Sequence, residues 1–181
     1  MKLLIGCSSR DDIPKKYSED CEKYLEELFK SNNDLVFGAY NKGLMNISYQ
    51  QALKHNRQVI GISPEIFKND FKNLNCHKEI ITKSITERTE KLIEESDALI
   101  FLPGGIGTIY ELFTTIESKR SGEFNKPIII YNSCDYFDKL LLFLEDMYNQ
   151  NFTSISVKEC YYISKNAKDT LEYLDKYNQT P

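Results

Sequence analysis

Short apolar runs alternate along the chain with longer amphipathic stretches, the pattern that a parallel sheet covered by helices on both faces requires. The apolar runs predict strands over 2–5, 34–37, 58–62, 79–82, 98–102, 127–131 and 160–163. Between them, helices are predicted over 17–29, 43–55, 84–95, 108–119, 136–149 and 167–177. In the first of these, Cys21, Tyr24, Leu25, Leu28 and Phe29 recur at helical spacing and form one apolar face. The third opens with Ser84-x-x-Glu87, the spelling of a capping box. Residues 64–77 read as the one long irregular stretch. The expected architecture is α/β, a single doubly wound, Rossmann-like domain over 1–181 with a mostly parallel sheet flanked by helices. Ligands of such folds sit beyond the carboxyl ends of the strands, so chemistry is expected in the loops after Ile5, Phe37, Ile62 and Leu102.

At 181 residues the chain is long enough to bury a sizeable core. Its 27 acidic and 23 basic residues leave a formal charge of -4, with no basic block, so nucleic acid is not an expected partner. No apolar run approaches the ~18 to 20 residues of a membrane span, and Leu3-Leu4-Ile5 is too short for a signal-peptide core. No membrane association is expected, and the cytoplasm is the expected location. The five cysteines, Cys7, Cys21, Cys76, Cys134 and Cys160, are widely spaced without a C-x-x-C pair, which predicts reduced thiols. His55 and His77 have no Cys or second His at ligand spacing, and no metal is predicted.

The strongest chemical signal is the run from Ala98 to Glu111, a buried strand passing through Pro103, Gly104, Gly105, Ile106, Gly107 and Thr108 into a helix. Glycines let a backbone approach a phosphate without an intervening Cβ, and a helix start offers free N–H groups with partial positive charge. Thr108 adds a hydroxyl donor. A tight strand-to-helix turn without a ligand is the plain alternative for such a loop. Glu111 has two readings as well: Thr108-x-x-Glu111 spells a capping box, while its position puts a carboxylate beside whatever the loop holds. Arg88, inside the charged run Glu87–Glu90, is either a solvated surface charge or a guanidinium delivered to the same crevice. A second turn, Gly38 to Met45, also leads into a helix and would complete a phosphate cradle through Gly43 and Met45. Ser8 and Ser9 after the first strand are suitable hydroxyl donors, and equally ordinary turn residues. Cys7 has no histidine placed to activate it as a nucleophile.

The segment Pro103-Gly104-Gly105-Ile106-Gly107-Thr108-Ile109-Tyr110-Glu111 resembles the PGGxGTxxE signature of the LONELY GUY (LOG) family, the cytokinin riboside 5′-monophosphate phosphoribohydrolases long labelled lysine decarboxylases. Upstream, Ile85-Thr86-Glu87-Arg88-Thr89 occupies the place of the family's M-x-x-R-K motif, and the 23-residue spacing from Arg88 to Glu111 is the family's. The likeness extends over most of the chain, through Gly6-Cys7-Ser8-Ser9, Gly43-Leu44-Met45, Val59 to Ile62 and Lys126-Pro127. It implies a Rossmann-like fold, Arg88 and Glu111 as the catalytic pair, and Gly104, Gly105, Ile106, Gly107 and Thr108 around a 5′-phosphate. Ser8, Gly43 and Met45 would complete the substrate site. It also implies a nucleoside 5′-monophosphate substrate, no cofactor, and a homodimer.

The chain departs from the family pattern at Ile85 and Thr89, at Ala39 and Asn46 where glycines are usual, at Tyr110, and at Glu117 to Arg120. These departures support a second reading, a non-catalytic nucleotide carrier akin to the molybdenum-cofactor carriers. A dinucleotide-dependent dehydrogenase is disfavoured, because Gly6 to Arg10 lacks G-x-G-x-x-G after the first strand.

Overall fold

The computed structural model describes residues 1–179. The chain runs β1 (Lys2–Gly6), α1 (Lys15–Lys30), β2 (Asp34–Phe37), α2 (Gly43–Lys54), β3 (Val59–Pro64), β4 (Lys78–Thr82), α3 (Ile85–Glu95), β5 (Ala98–Phe101), α4 (Ile106–Arg120), β6 (Ile128–Tyr131), α5 (Asp138–Asn149), β7 (Tyr162–Ser164) and α6 (Ala167–Gln179). The seven strands form one sheet in the order β4-β3-β2-β1-β5-β6-β7, and every pairing is parallel. The expected mostly parallel sheet is thus entirely parallel. Each strand therefore ends, and the following helix begins, on the same edge.

The alternation within each strand divides the core. Leu3, Ile5, Leu35, Phe37, Ala98, Ile100 and Ile129 pack on one face with Cys21, Leu25, Leu28, Leu44, Ala52 and Leu174 from α1, α2 and α6. Leu4, Val36, Leu99, Phe101, Ile128 and Ile130 pack on the other with Leu92, Leu112, Ile116 and Leu144 from α3, α4 and α5. Successive residues of a strand point to opposite faces, so strands with both faces covered read as unbroken apolar runs. The order reverses at β1, whose neighbours are β2 and β5, and a crevice opens at this switch point beyond the strand ends.

Several boundaries differ from the expected ones. Residues 64–77 are not wholly irregular: a 3-10 run spans Glu65–Asn73 and packs Phe71 into the core. Pro127 lies outside β6, and Cys160 closes a 3-10 turn, Ile155–Cys160, rather than starting a strand. α4 begins at Ile106, two residues before Thr108, with Gly105 as its N-cap.

Candidate active site

The parallel sheet fixes the level at which α3 and α4 deliver their first turns. Ser84 caps α3, its Oγ accepting the Glu87 amide at 3.1 Å, while Glu87 Oε2 accepts the Lys83 amide at 2.7 Å. This capping arrangement starts the helix where Arg88 falls in its first turn, facing the crevice. At its other end Lys126 Nζ donates to the carbonyls of Ile93 at 2.6 Å and Ser96 at 2.6 Å, satisfying groups that a helix terminus leaves free.

Arg88 Nη2 donates to Glu111 Oε1, and the two side chains are only 11% and 4% exposed. Glu111 lies five residues into α4, about 7 Å below the helix start, on the floor of the cleft. Burial raises its pKa above the ordinary carboxylate value, with the Arg88 charge and hydrogen bond acting against that rise. Arg88 Nε is buried and has no hydrogen-bond partner among the described residues, so a donor remains for a ligand. Glycine at position 6 makes room for the Phe101 ring, which a Cβ there would meet at 2.6 Å, while Glu111 Oε2 would lie at an ordinary contact distance of 3.6 Å.

The capping-box reading of Glu111 does not hold. Thr108 sits inside α4, the cap position belongs to Gly105, and the Glu111 carboxylate engages Arg88. The cap has no side-chain hydrogen bond, which leaves the first amides of α4, at Ile106, Gly107 and Thr108, open to an anion. The loop glycines are not equivalent. A Cβ on Gly104 would lie 2.1 Å from Thr108 Oγ1, so Gly104 serves the turn itself. A Cβ on Gly105 or Gly107 would meet nothing within 4 Å, so these two keep the cleft clear.

Cys7, Ser8, Ser9, Arg10, Met45, Arg88, Gly105, Ile106, Gly107, Thr108 and Glu111 line one lobe of about 300 Å³. It holds all the expected site residues except Gly104 and Gly43, which shape its walls. Ser8 links both loops, its amide donating to the Pro103 carbonyl at 3.0 Å and its carbonyl accepting the Met45 amide at 3.2 Å. Gly43 has φ +57°, and a Cβ there would collide with the Arg10 carbonyl at 2.5 Å. Its amide donates to Asp11 Oδ1 at 2.8 Å, which ties the second turn to the first. Ala39 adopts φ +54° in that turn, a left-handed backbone that favours glycine. The Cys7 thiol is buried, and burial together with Cys21 and Glu111 pushes its pKa well up, which disfavours the thiolate.

A second lobe of about 510 Å³ adjoins the first through Ser9, Met45 and Arg88, and is walled by Gly38, Tyr40, Ile66, Phe67 and Asn69. Tyr40, Ile66, Phe67 and Asn69 were not among the residues expected from the sequence. Ile66 and Phe67 stay exposed, at 69% and 45%, on the 3-10 run. The readable signal was the apolar pair Ile66-Phe67 soon after a strand end, ahead of Phe71 and Leu74, which turn inward.

Fold and cleft together define a Rossmann-like α/β protein with a glycine-rich strand-to-helix loop beside a buried arginine–glutamate pair. Residues 45–174 match the family described as possible lysine decarboxylase, and the chain belongs to that family, to which the LONELY GUY signature had pointed. A probable cytokinin riboside 5′-monophosphate phosphoribohydrolase of Oryza sativa subsp. japonica is 28% identical over 98% of this chain and 71% of its own length. A cytokinin riboside 5′-monophosphate phosphoribohydrolase of Arabidopsis thaliana is 27% identical over 97% of this chain and 83% of its own. Among solved structures, the molybdenum cofactor binding protein of Rippkaea orientalis superposes with a TM-score of 0.72 at 18% identity, covering 98% of this chain and 97% of its own. The Moco carrier protein of Chlamydomonas reinhardtii gives 0.71 at 13% identity, covering 99% and 98%. At such identities these two establish the shared fold.

Proposed function

We propose that the protein hydrolyses the N-glycosidic bond of a purine nucleoside 5′-monophosphate, AMP or an N6-substituted AMP, giving the free base and ribose 5-phosphate. The observation that carries this reading is the Arg88–Glu111 pair buried directly beneath free helix amides. A carboxylate beside an anion site is unfavourable unless it has a task. Here the 5′-phosphate occupies the amides of Ile106 to Thr108, the ribose lies over Glu111, and the base enters the lobe of Tyr40, Met45, Ile66 and Phe67.

Cleavage passes through an oxocarbenium-like state in which positive charge grows on the ribose, as in glycoside hydrolysis. The Glu111 carboxylate stabilises that charge, and the oxygen not engaged by Arg88 takes a proton from the attacking water as the bond from C1′ to the base breaks, the departing base gaining a proton from solvent. Arg88 holds Glu111 in position and keeps Nε for the substrate. Binding of the remote phosphate aligns the sugar for attack, so the loop contributes to rate through positioning. The relatives carry this activity in their names, and the lining of one cleft by the motif residues supports the same reading for this chain.

The test is chromatographic base release from AMP, N6-isopentenyl-AMP and other nucleoside monophosphates, with Glu111→Gln as control. Base and ribose 5-phosphate from wild type alone support hydrolysis. Nucleotide that binds but stays intact leaves the carrier reading, which the fold shared with molybdenum-cofactor carriers favours.

A further inference from the structure

The glycine loop has a second face. Ser8, Arg10 and Gly105 wall the phosphate lobe, and the same three residues wall a separate recess of about 180 Å³. The rest of that recess is apolar and aromatic, with Ile13, Tyr17 and Tyr136 prominent. The Tyr17 and Tyr136 rings meet edge to face, their centroids 5.4 Å apart. The Tyr136 hydroxyl donates to the Gly104 carbonyl at 2.7 Å, which fastens the aromatic wall to the loop. The recess is therefore preformed.

Its place in the sheet gives it meaning. The base lobe is walled chiefly from the connections after β2 and β3, and this recess from those after β1, β5 and β6, so the two open on different sides of the lobe they each adjoin. A ligand held at its middle by phosphate has room to extend both ways. A cavity of about 150 Å³ accommodates a benzene ring, so the recess suits one six-membered ring and is too small for a second nucleoside. Arg10, whose exposed guanidinium is bound to Asp12 at 2.6 Å, lines both recess and phosphate lobe and is the cation they share for a second phosphate.

We propose that this recess is a ring-binding subsite, and that the ligands of the cleft include nucleoside 5′-diphosphates carrying, through a sugar, a single heteroaromatic ring, as a pyridine dinucleotide does. The proposal rests on the phosphate lobe binding a nucleotide. The experiment is equilibrium titration with AMP, ADP-ribose and NAD⁺, which share the adenylate but of which NAD⁺ alone carries the ring. Wild type is expected to bind NAD⁺ at least tenfold more tightly than ADP-ribose. Ile13→Trp fills the recess and should bring NAD⁺ down to the ADP-ribose level while AMP affinity stays within twofold. Tyr17→Ala, which removes a wall without adding bulk, should move NAD⁺ in the same direction. Equal binding of NAD⁺ and ADP-ribose by wild type overturns the proposal without recourse to any variant, as does an NAD⁺ advantage that survives in natively folded Ile13→Trp. AMP binding without a ring advantage overturns this proposal alone, whereas failure of all three probes overturns the nucleotide reading with it.

Discussion

Arg88 Nη2 donates to Glu111 Oε1 between two helices that start at the same edge of the sheet, so one buried ion pair joins α3 to α4 on the floor of the cleft. Replacing Glu111 with Gln keeps the shape and a hydrogen-bond acceptor but removes the charge. Turnover should fall by roughly 10² to 10⁴, the range for losing an acid–base or electrostatic group. AMP affinity should stay within a few-fold by titration. Unchanged turnover would return Glu111 to a structural role.

Arg88→Ala is expected to weaken nucleotide binding and rate together, because the arginine both holds Glu111 and offers Nε to the ligand. It also leaves a buried carboxylate without its cation, which pushes the Glu111 pKa further up. Full Michaelis analysis checks this, and an indifferent enzyme removes the pair from the mechanism.

The pH dependence follows from the same carboxylate. Glu111 must be ionised to act, and burial raises its pKa, so kcat/KM should fall on acidification at a pH above that at which an ordinary glutamate protonates. In stability the sign is opposite. A raised folded pKa favours the protonated fold, so this group's contribution is present at low pH and is lost as pH rises through that pKa. An acid limb at or below the ordinary glutamate range would contradict the assignment.

Two of the loop glycines, Gly104 and Gly107, should differ in their effect on folding. Gly104→Ala drives a Cβ into Thr108 and should cost roughly 1–3 kcal/mol of stability, as overpacking does. Gly107→Ala meets nothing and lies within α4, so denaturant melts should show a gain of about 0.5–1 kcal/mol. Both substitutions should weaken phosphate binding, the first by distorting the loop and the second by obstructing its open face.

Lys126→Met removes the cation that caps α3 and should lower stability by about 1 kcal/mol. Burial holds the Lys126 pKa below the ordinary lysine value, so between the two values the unfolded chain binds more protons and the fold gains stability as pH rises, a rise that Lys126→Met should lose. Thermal melts at two pH values check both statements.

Much of this was legible because its physics is local. Two-sided burial makes β1, β2, β5 and β6 unbroken apolar runs, and the glycine loop announces itself by composition. The capping spelling was half informative. Ser84-x-x-Glu87 does start a helix, whereas Thr108-x-x-Glu111 does not, because Gly105 ends the turn early and puts Thr108 inside α4. The lobe of Tyr40, Ile66 and Phe67 escaped, since a 3-10 run has neither period 2 nor period 3.6 to read. The meeting of Arg88 with Glu111 depended on strand order, which spacing along the chain does not carry.

The exposed apolar pair on Glu65–Asn73 belongs to a segment inserted between two strands, while the ion pair rides on α3 and α4. On the proposed function, reaction and recognition would be borne by separable pieces of polypeptide, and drift in the segment would retune which base is accepted without disturbing the pair that breaks the bond. A lineage with this scaffold would then diversify its substrates one connection at a time, and grafting residues 65–73 between relatives would be the natural way to exchange their preferences.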